Sequence, residues 1–382
     1  MKLFFTICGL FIFINSSLGQ QFKQGDIFLS QENWFIQWRD SNGMLIKNIY
    51  NPDGASGNFN GIGLRIHPLT GELWATNPNS NQNAIRIIKK DGTQGGTIDI
   101  YAYQHAPTSI TFDSKGNAFV GGQWNDGQVV KINSGSSAIQ DHFTLSTDGY
   151  ISGPKWVEMD FNDSIIYYTN SRPKIKQYNV VTHQQLPDFA DLTGLTSGLL
   201  GMRFLPDSTV LVVSADSVVF RLNRVGAILQ TYIPTNPCGM DGIAVTADGK
   251  SFWIGGGAAN APIYKFDIRS GVVQASFATG QTATIYHGIE VYDDKKTVMG
   301  TDCSKAYPNP SNGIFKLQTK LIGTISVAIF NGIGQLVFKN DFNLSGGNNE
   351  IPLSLEKLSE GIYIIDLFDH HNHCFEKIVI QR

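Results

Sequence analysis

The sequence predicts an all-β protein, a six-bladed β-propeller followed by a small antiparallel β-sandwich. Three observations lead there. One apolar strand, polar turn, apolar strand unit recurs about every 45 residues between Gly25 and Asp302, the length of a four-stranded propeller blade. The 40 glycines among 382 residues, with only 16% charged side chains, suit many tight turns rather than a disordered chain. Beyond Tyr307 the repeat stops, and short strands of period two follow, punctuated by Asn-Gly, Gly-Gly and Pro.

Taken in order, residues 1–19 carry one base, Lys2, and no acid. An apolar run from Leu3 to Ile14 precedes Ser17-Leu18-Gly19, which puts small residues at the −3 and −1 positions. This predicts a secretory signal peptide cleaved before Gln20. The run is shorter than the roughly 20 apolar residues a membrane helix needs, and no transmembrane segment is expected elsewhere. With 29 bases against 32 acids and no block of like charge, nucleic acid and anionic lipid are not expected partners. Removing Cys8 with the signal peptide leaves Cys238, Cys303 and Cys374, without zinc-like spacing. The simplest expectation is three unpaired thiols. The rival is a Cys238–Cys303 bridge between loops of neighbouring blades, which an oxidising exterior would preserve.

The propeller is assigned to residues 20–302. Its hairpins are GLRIHPLTGELWAT, SITFDSKGNAFVGG, VEMDFNDSIIYYTN, GMRFLPDSTVLVVS, GIAVTADGKSFWIGG and GIEVYDDKKTVMGT. Each of the first five is followed by two more strands, such as Ile263–Ile268 and Val272–Phe277 in the fifth. The sixth lacks them, and FIQWRDSNG with MLIKNIYN near the N-terminus supplies the missing pair. A ring closed by both termini leaves no open sheet edge. For the second strand of that last blade, Gly25–Ser30 competes with Thr297–Thr301. Residues 303–306 read as a short polar linker, and 307–382 as the sandwich.

In such a ring the first strand of each blade lines the channel, and the loops entering it share one face with those leaving the second strand. Aligning the units puts Ile62, Thr108, Lys155, Leu200, Asp241 and His287 in one circle at this mouth. Asn77, Gln123, Trp124, Asn170, Arg172, Asp216 and Asp302 join them from the loops. Asp241 and His287 fall on adjacent blades at one level, so an acid can orient an imidazole base there, with Lys155 as counter-ion. No nucleophile motif accompanies them. Trp124, Trp156 and Arg172, with Thr108 and Asn170, offer the alternative of a stacking face for a sugar or peptide. Trp74 and Trp253 occupy equivalent second-strand positions and are expected to pack between blades. Asn77–Asn83 reads as a solvated loop, and the histidines of Asp369–Cys374 as a hairpin tip.

Two resemblances bear on these residues. The Tyr307-Pro308-Asn309-Pro310 start, the strand before Gly332–Gly334–Gln335, the Leu358–Gly361–Ile362–Tyr363 segment and the KIVIQ ending resemble the C-terminal sorting domain of the type IX secretion pathway of Bacteroidota, an Ig-like sandwich. That resemblance implies passage through the periplasm and an outer-membrane translocon, removal by a processing protease, and a final place outside the cell or on its surface. MDGIAVTADGKSFWIGGG is similar to the repeats of regucalcin- and gluconolactonase-like six-bladed propellers, and more loosely to NHL repeats. There the Asp matching Asp241 ligates a metal, but Leu200 and His287 stand where an Asn and a Glu are needed, so no calcium site is expected. Cofactors are left open. The expected function is binding or recognition outside the cell, with a lactonase-like hydrolase or lyase at the mouth as the alternative.

Overall fold

A computed structural model describes residues 20–31, 35–50, 63–79, 82–103, 106–123, 127–149, 152–236, 240–256, 261–280, 286–293, 304–319, 321, 323–331, 335–345, 349–368 and 373–382. Residues 1–19, expected from sequence to be a signal peptide, Ile62, Trp124, Cys238, Thr297–Thr301, Asp302 and Cys303 lie outside them.

The repeat becomes six four-stranded antiparallel sheets, each a meander from an inner to an outer strand. The inner strands are Leu64–Ile66, Pro107–Phe112, Trp156–Met159, Leu199–Phe204, Gly242–Val245 and Tyr286–Val291, numbered here as blades 1 to 6. Each inner strand packs against the next, and blade 6 meets blade 1, so the ring closes. Closure uses one strand from the C-terminal side and three from the N-terminal side. Tyr286–Val291 pairs with Ile27–Gln31, which pairs with Phe35–Arg39 and then Leu45–Tyr50. Gly25–Ser30 thus wins the contested place, because Ile27 and Leu29 supply the alternating apolar face that packs against Trp253 of blade 5. Arg39 ties the same seam, donating to the Thr279 carbonyl at 2.8 Å.

Between blades the core is apolar and continuous. The third aligned residues of the inner strands, Leu64, Ile110, Val157, Met202, Ile243 and Ile289, are all buried. Trp74 packs against His67 and against Phe112 of the next blade, and Trp253 against Phe277. Hydroxyls stitch the seams: Thr108 Oγ1 donates to the Lys155 carbonyl at 2.7 Å, Thr169 Oγ1 to that of Leu200 at 2.7 Å, and Ser109 Oγ accepts from Val157 N. Neighbouring inner strands approach so closely that a Cβ at Gly201 would stand 2.4 Å from the Asp241 carbonyl oxygen, and one at Gly242 2.8 Å from Ile289 N.

Asn77–Asn83 is not a loop. Strands Leu73–Asn79 and Gln82–Ile88 run nearly through it, with Asn77 paired to Ala84 and buried. The polar composition had hidden a strand pair in which the side chains of Asn77 and Asn83 are buried.

The remaining strands form a two-sheet sandwich. Ser304–Tyr307, Ile314–Thr319 and Asn349–Ser354 make one sheet; Leu336–Leu344, Gly323–Asn331, Gly361–Phe368 and His373–Ile380 make the other. Phe315, Leu317, Ile325, Val327, Ile351 and Ile365 fill the space between. Ser304–Ala306, read from sequence as linker, belong to the first strand, because Ser304 and Ala306 alternate inward and pair with Thr319 and Leu317. Cys374 is buried in the sandwich and disulfide-bonded, which corrects the expectation of three unpaired thiols.

Candidate functional site

The channel has two ends, and the chemistry divides between them. At the end where inner strands begin, Thr108, Lys155, Trp156, Leu200, Gly201, Asp241 and His287 line one small cavity of about 10 Å³. Five of the six residues aligned from sequence are therefore brought together. Asp241 Oδ2 lies 2.7 Å from His287 Nδ1. Burial alone would push the Asp241 carboxyl up; the His287 hydrogen bond and the Lys155 charge outweigh it and hold it below its ordinary 3.8. An ionised Asp241 makes Nδ1 the donor, so the neutral ring keeps its lone pair on Nε2. That atom is buried and has no hydrogen-bond partner among the described residues. The acid and the imidazole are held at hydrogen-bond distance, but the space beside them holds about one water.

The other residues expected at this face serve the framework. Trp156 is buried, not displayed. Its Nε1 donates to the Met202 carbonyl at 2.9 Å, and the Arg203 guanidinium sits 5.0 Å from its ring centroid. It begins an inner strand whose side faces the next blade, so it fills the seam that glycine keeps narrow elsewhere. The expected stacking platform is not formed by this residue. Thr108 and Asn170 are likewise buried, Thr108 stitching blades 2 and 3 and Asn170 donating to the Thr147 carbonyl at 3.4 Å. Arg172 is half-buried at the next seam, where its carbonyl accepts from Leu199 N at 3.0 Å. Asp216 anchors a loop by accepting from Ser197 N and Oγ. Beside these, Asn77 Oδ1 and Nδ2, Gln123 Oε1 and Asn170 Oδ1 are buried without partners among the described residues.

At the opposite end, where inner strands run into their hairpin turns, a cavity of about 250 Å³ opens. Its floor is a closed ring of alternating charge. Arg65 donates to Glu158 at 2.6 Å, Arg203 meets Glu158 at 3.3 Å and Glu290 at 3.0 Å, and Arg65 stands 3.9 Å from Glu290. Arg65 and Glu290 remain open toward the cavity, with 23% and 12% of their side chains exposed. Burial raises the Glu290 carboxyl, and the charges of Arg65 and Arg203 only partly offset it. Phe112, Phe161 and Phe204 form walls, and the rim includes Ser114 together with Asp113 and Asp160, whose carboxylates accept backbone N–H groups within their own turns.

This tetrad was not singled out from sequence, although the signal was there. Arg65, Glu158, Arg203 and Glu290 occupy the fourth position of four aligned inner strands, three residues after the circle that contains Asp241 and His287. Two bases and two acids in register across a ring predict mutual pairing in the channel.

Comparison with known proteins divides the chain in the same way. A family profile described as a secretion system C-terminal sorting domain matches residues 305–381. The sandwich is therefore a type IX sorting domain, and the protein goes to the cell surface or the medium. An endo-acting ulvan lyase of Formosa agariphila is 24% identical over 119 residues, 30% of this chain; the match spans only 22% of that relative's length. In fold, the protein is similar to a chain of the crystal structure of a nidogen/laminin complex, with a TM-score of 0.56 and 13% identity over 70% of this chain and 98% of that one. At that identity the likeness speaks for the fold alone.

Proposed function

We propose that the propeller is an exported binding module whose ligand, a sugar unit or a peptide side chain, seats in the wide end of the channel. The observation that carries this reading is the difference in room: about 250 Å³ at the Arg65–Glu290 end against about 10 Å³ beside His287. Aromatic walls over a few fixed polar groups are the usual lining of a small-molecule site. Type IX export presents such a site to whatever surrounds the cell, after engagement with the translocon and its processing machinery. A thermal-shift screen of the purified protein against oligosaccharides and short peptides tests the reading, since a ligand of the folded state raises its apparent stability. A hit that survives Arg65→Gln and Phe161→Ala unchanged counts against the wide end.

A second reading, a hydrolase or lyase acting at Asp241, His287 and Lys155, draws support from the 2.7 Å Asp241–His287 contact and the unpartnered Nε2. The ulvan lyase relative brings polysaccharides into its substrate class. Turnover of lactones or acidic polysaccharides that is lost in His287→Gln, with the fold intact, would favour this reading over binding alone.

A further inference from the structure

The sorting sandwich has a face that alternation predicts to be open and that is nevertheless covered. Along Gly323–Asn331, Ile325, Val327 and Ile329 point into the core, so Ala328 and Phe330 point away from it. Along Gly361–Phe368, Tyr363, Ile365 and Leu367 point in, and Asp366 points out beside Ala328, its register partner. Yet Ala328 is 4% and Asp366 only 1% exposed.

Part of the cover of Asp366 comes from the propeller. Arg224, in the turn between blade 4 strands Val219–Leu222 and Ile228–Tyr232, places Nη2 3.2 Å from Asp366 Oδ2 and stacks its guanidinium 4.0 Å from the Phe330 ring centroid. A planar guanidinium serves both contacts at once, pairing at its edge and stacking on its face. The same Nη2 donates to Ser208 Oγ at 2.8 Å, in the first hairpin turn of the blade. That turn begins at Pro206, which lines the wide-end cavity, and Asp293, the last described residue of the sixth blade, lines it too. The module is therefore held to the face of the ring at whose rim Pro206 and Asp293 lie.

We propose that Arg224 latches the sorting module to this rim, so that the attached module screens the wide-end cavity from large molecules and its removal opens it. The consequence for ligand access rests on the wide end being the binding site; the latch itself does not.

The test is a labelling experiment on the full chain that needs no ligand. Ala247→Cys puts a thiol on the cavity wall, measured against the chain without it to subtract the native cysteines. It is reacted with a small maleimide and with a maleimide on a bulky polyethylene glycol. With Arg224 present the polymer should label several-fold more slowly than in Arg224→Ala, while the small reagent labels both alike. Arg224→Lys, which keeps the charge opposite Asp366 but loses the flat stacking group, should fall between and guards against a misfolded alanine variant. Equal polymer rates with and without Arg224 overturn the proposal. That outcome would leave the ligand screen above untouched, and a failed ligand screen would leave the latch untouched.

Discussion

The two ends of the channel are built from the same six strands, three residues apart, and behave as opposites. At the strand-entry end one acid and one imidazole meet at 2.7 Å, and almost no volume remains beside them. At the hairpin end four charges from four blades form a closed ring, and a ligand-sized space lies above it. The carboxyls respond in opposite directions: Asp241 is held below its ordinary value, whereas Glu290 is raised above it. The difference lies in how far the partners offset burial. Asp241 has His287 in direct hydrogen bond and Lys155 nearby. Glu290 shares its two arginines with Glu158, so each positive charge is divided. One repeat position yields a tightly held pair, and the position three residues further on yields a shared charge network with the wide cavity beside it.

The largest expected effects come from breaking the parts that separate the two ends. Arg203→Ala leaves Glu158 and Glu290 facing each other with only Arg65 between them, and should destabilise the propeller by about 3–5 kcal/mol. Urea unfolding measures it, and a loss below about 1 kcal/mol would mean that the network contributes little net stability. Trp156→Ala empties the seam under Arg203 and should also cost about 3–5 kcal/mol. A variant of normal stability that instead loses ligand binding would return Trp156 to the displayed role expected from sequence.

Smaller effects sharpen the contrast in pH. Asp241 binds fewer protons folded than unfolded, so its contribution is present above its ordinary 3.8 and is lost as pH falls through the lower folded value. Glu290 binds more protons folded, so its contribution is fully present below its ordinary 4.5 and is lost as pH rises through the raised folded value. Asp241→Asn should remove about 1–2 kcal/mol near neutral pH and flatten the acid limb of the stability profile. Unfolding midpoints at about pH 3 and pH 6 decide it; an unchanged acid limb would deny the Asp241–His287 pair its role. Glu290→Gln should weaken the pH dependence with the opposite sign. The smallest effect belongs to Thr108→Val, which deletes one seam hydrogen bond at nearly constant volume and should cost about 1 kcal/mol. A wild-type melting curve would make Thr108 available for the ligand role its position first indicated.

What the sequence by itself determined follows from periodicity and from short range. The spacing of turns fixed the number of blades, and alternation fixed which inner-strand residues share a level, so Thr108, Lys155, Leu200, Asp241 and His287 could be placed in one circle before any distance was known. The missing half-blade required a strand contribution from the N-terminus, and the closing segment of the chain carried its address in its own motifs. Tertiary structure alone decided which end keeps room for a ligand. That depends on side chains such as Arg65, Glu158, Arg203 and Glu290, up to 93 residues apart along the hydrogen bonds they exchange, filling or failing to fill a common volume. It also decided that Trp156 is seam rather than surface, that Gly25–Ser30 takes the contested strand, and that Arg224 reaches Asp366 across 142 residues. Local pattern says where a side chain points. Occupancy of the space it points into is a sum over distant neighbours, and only the folded ring performs that sum.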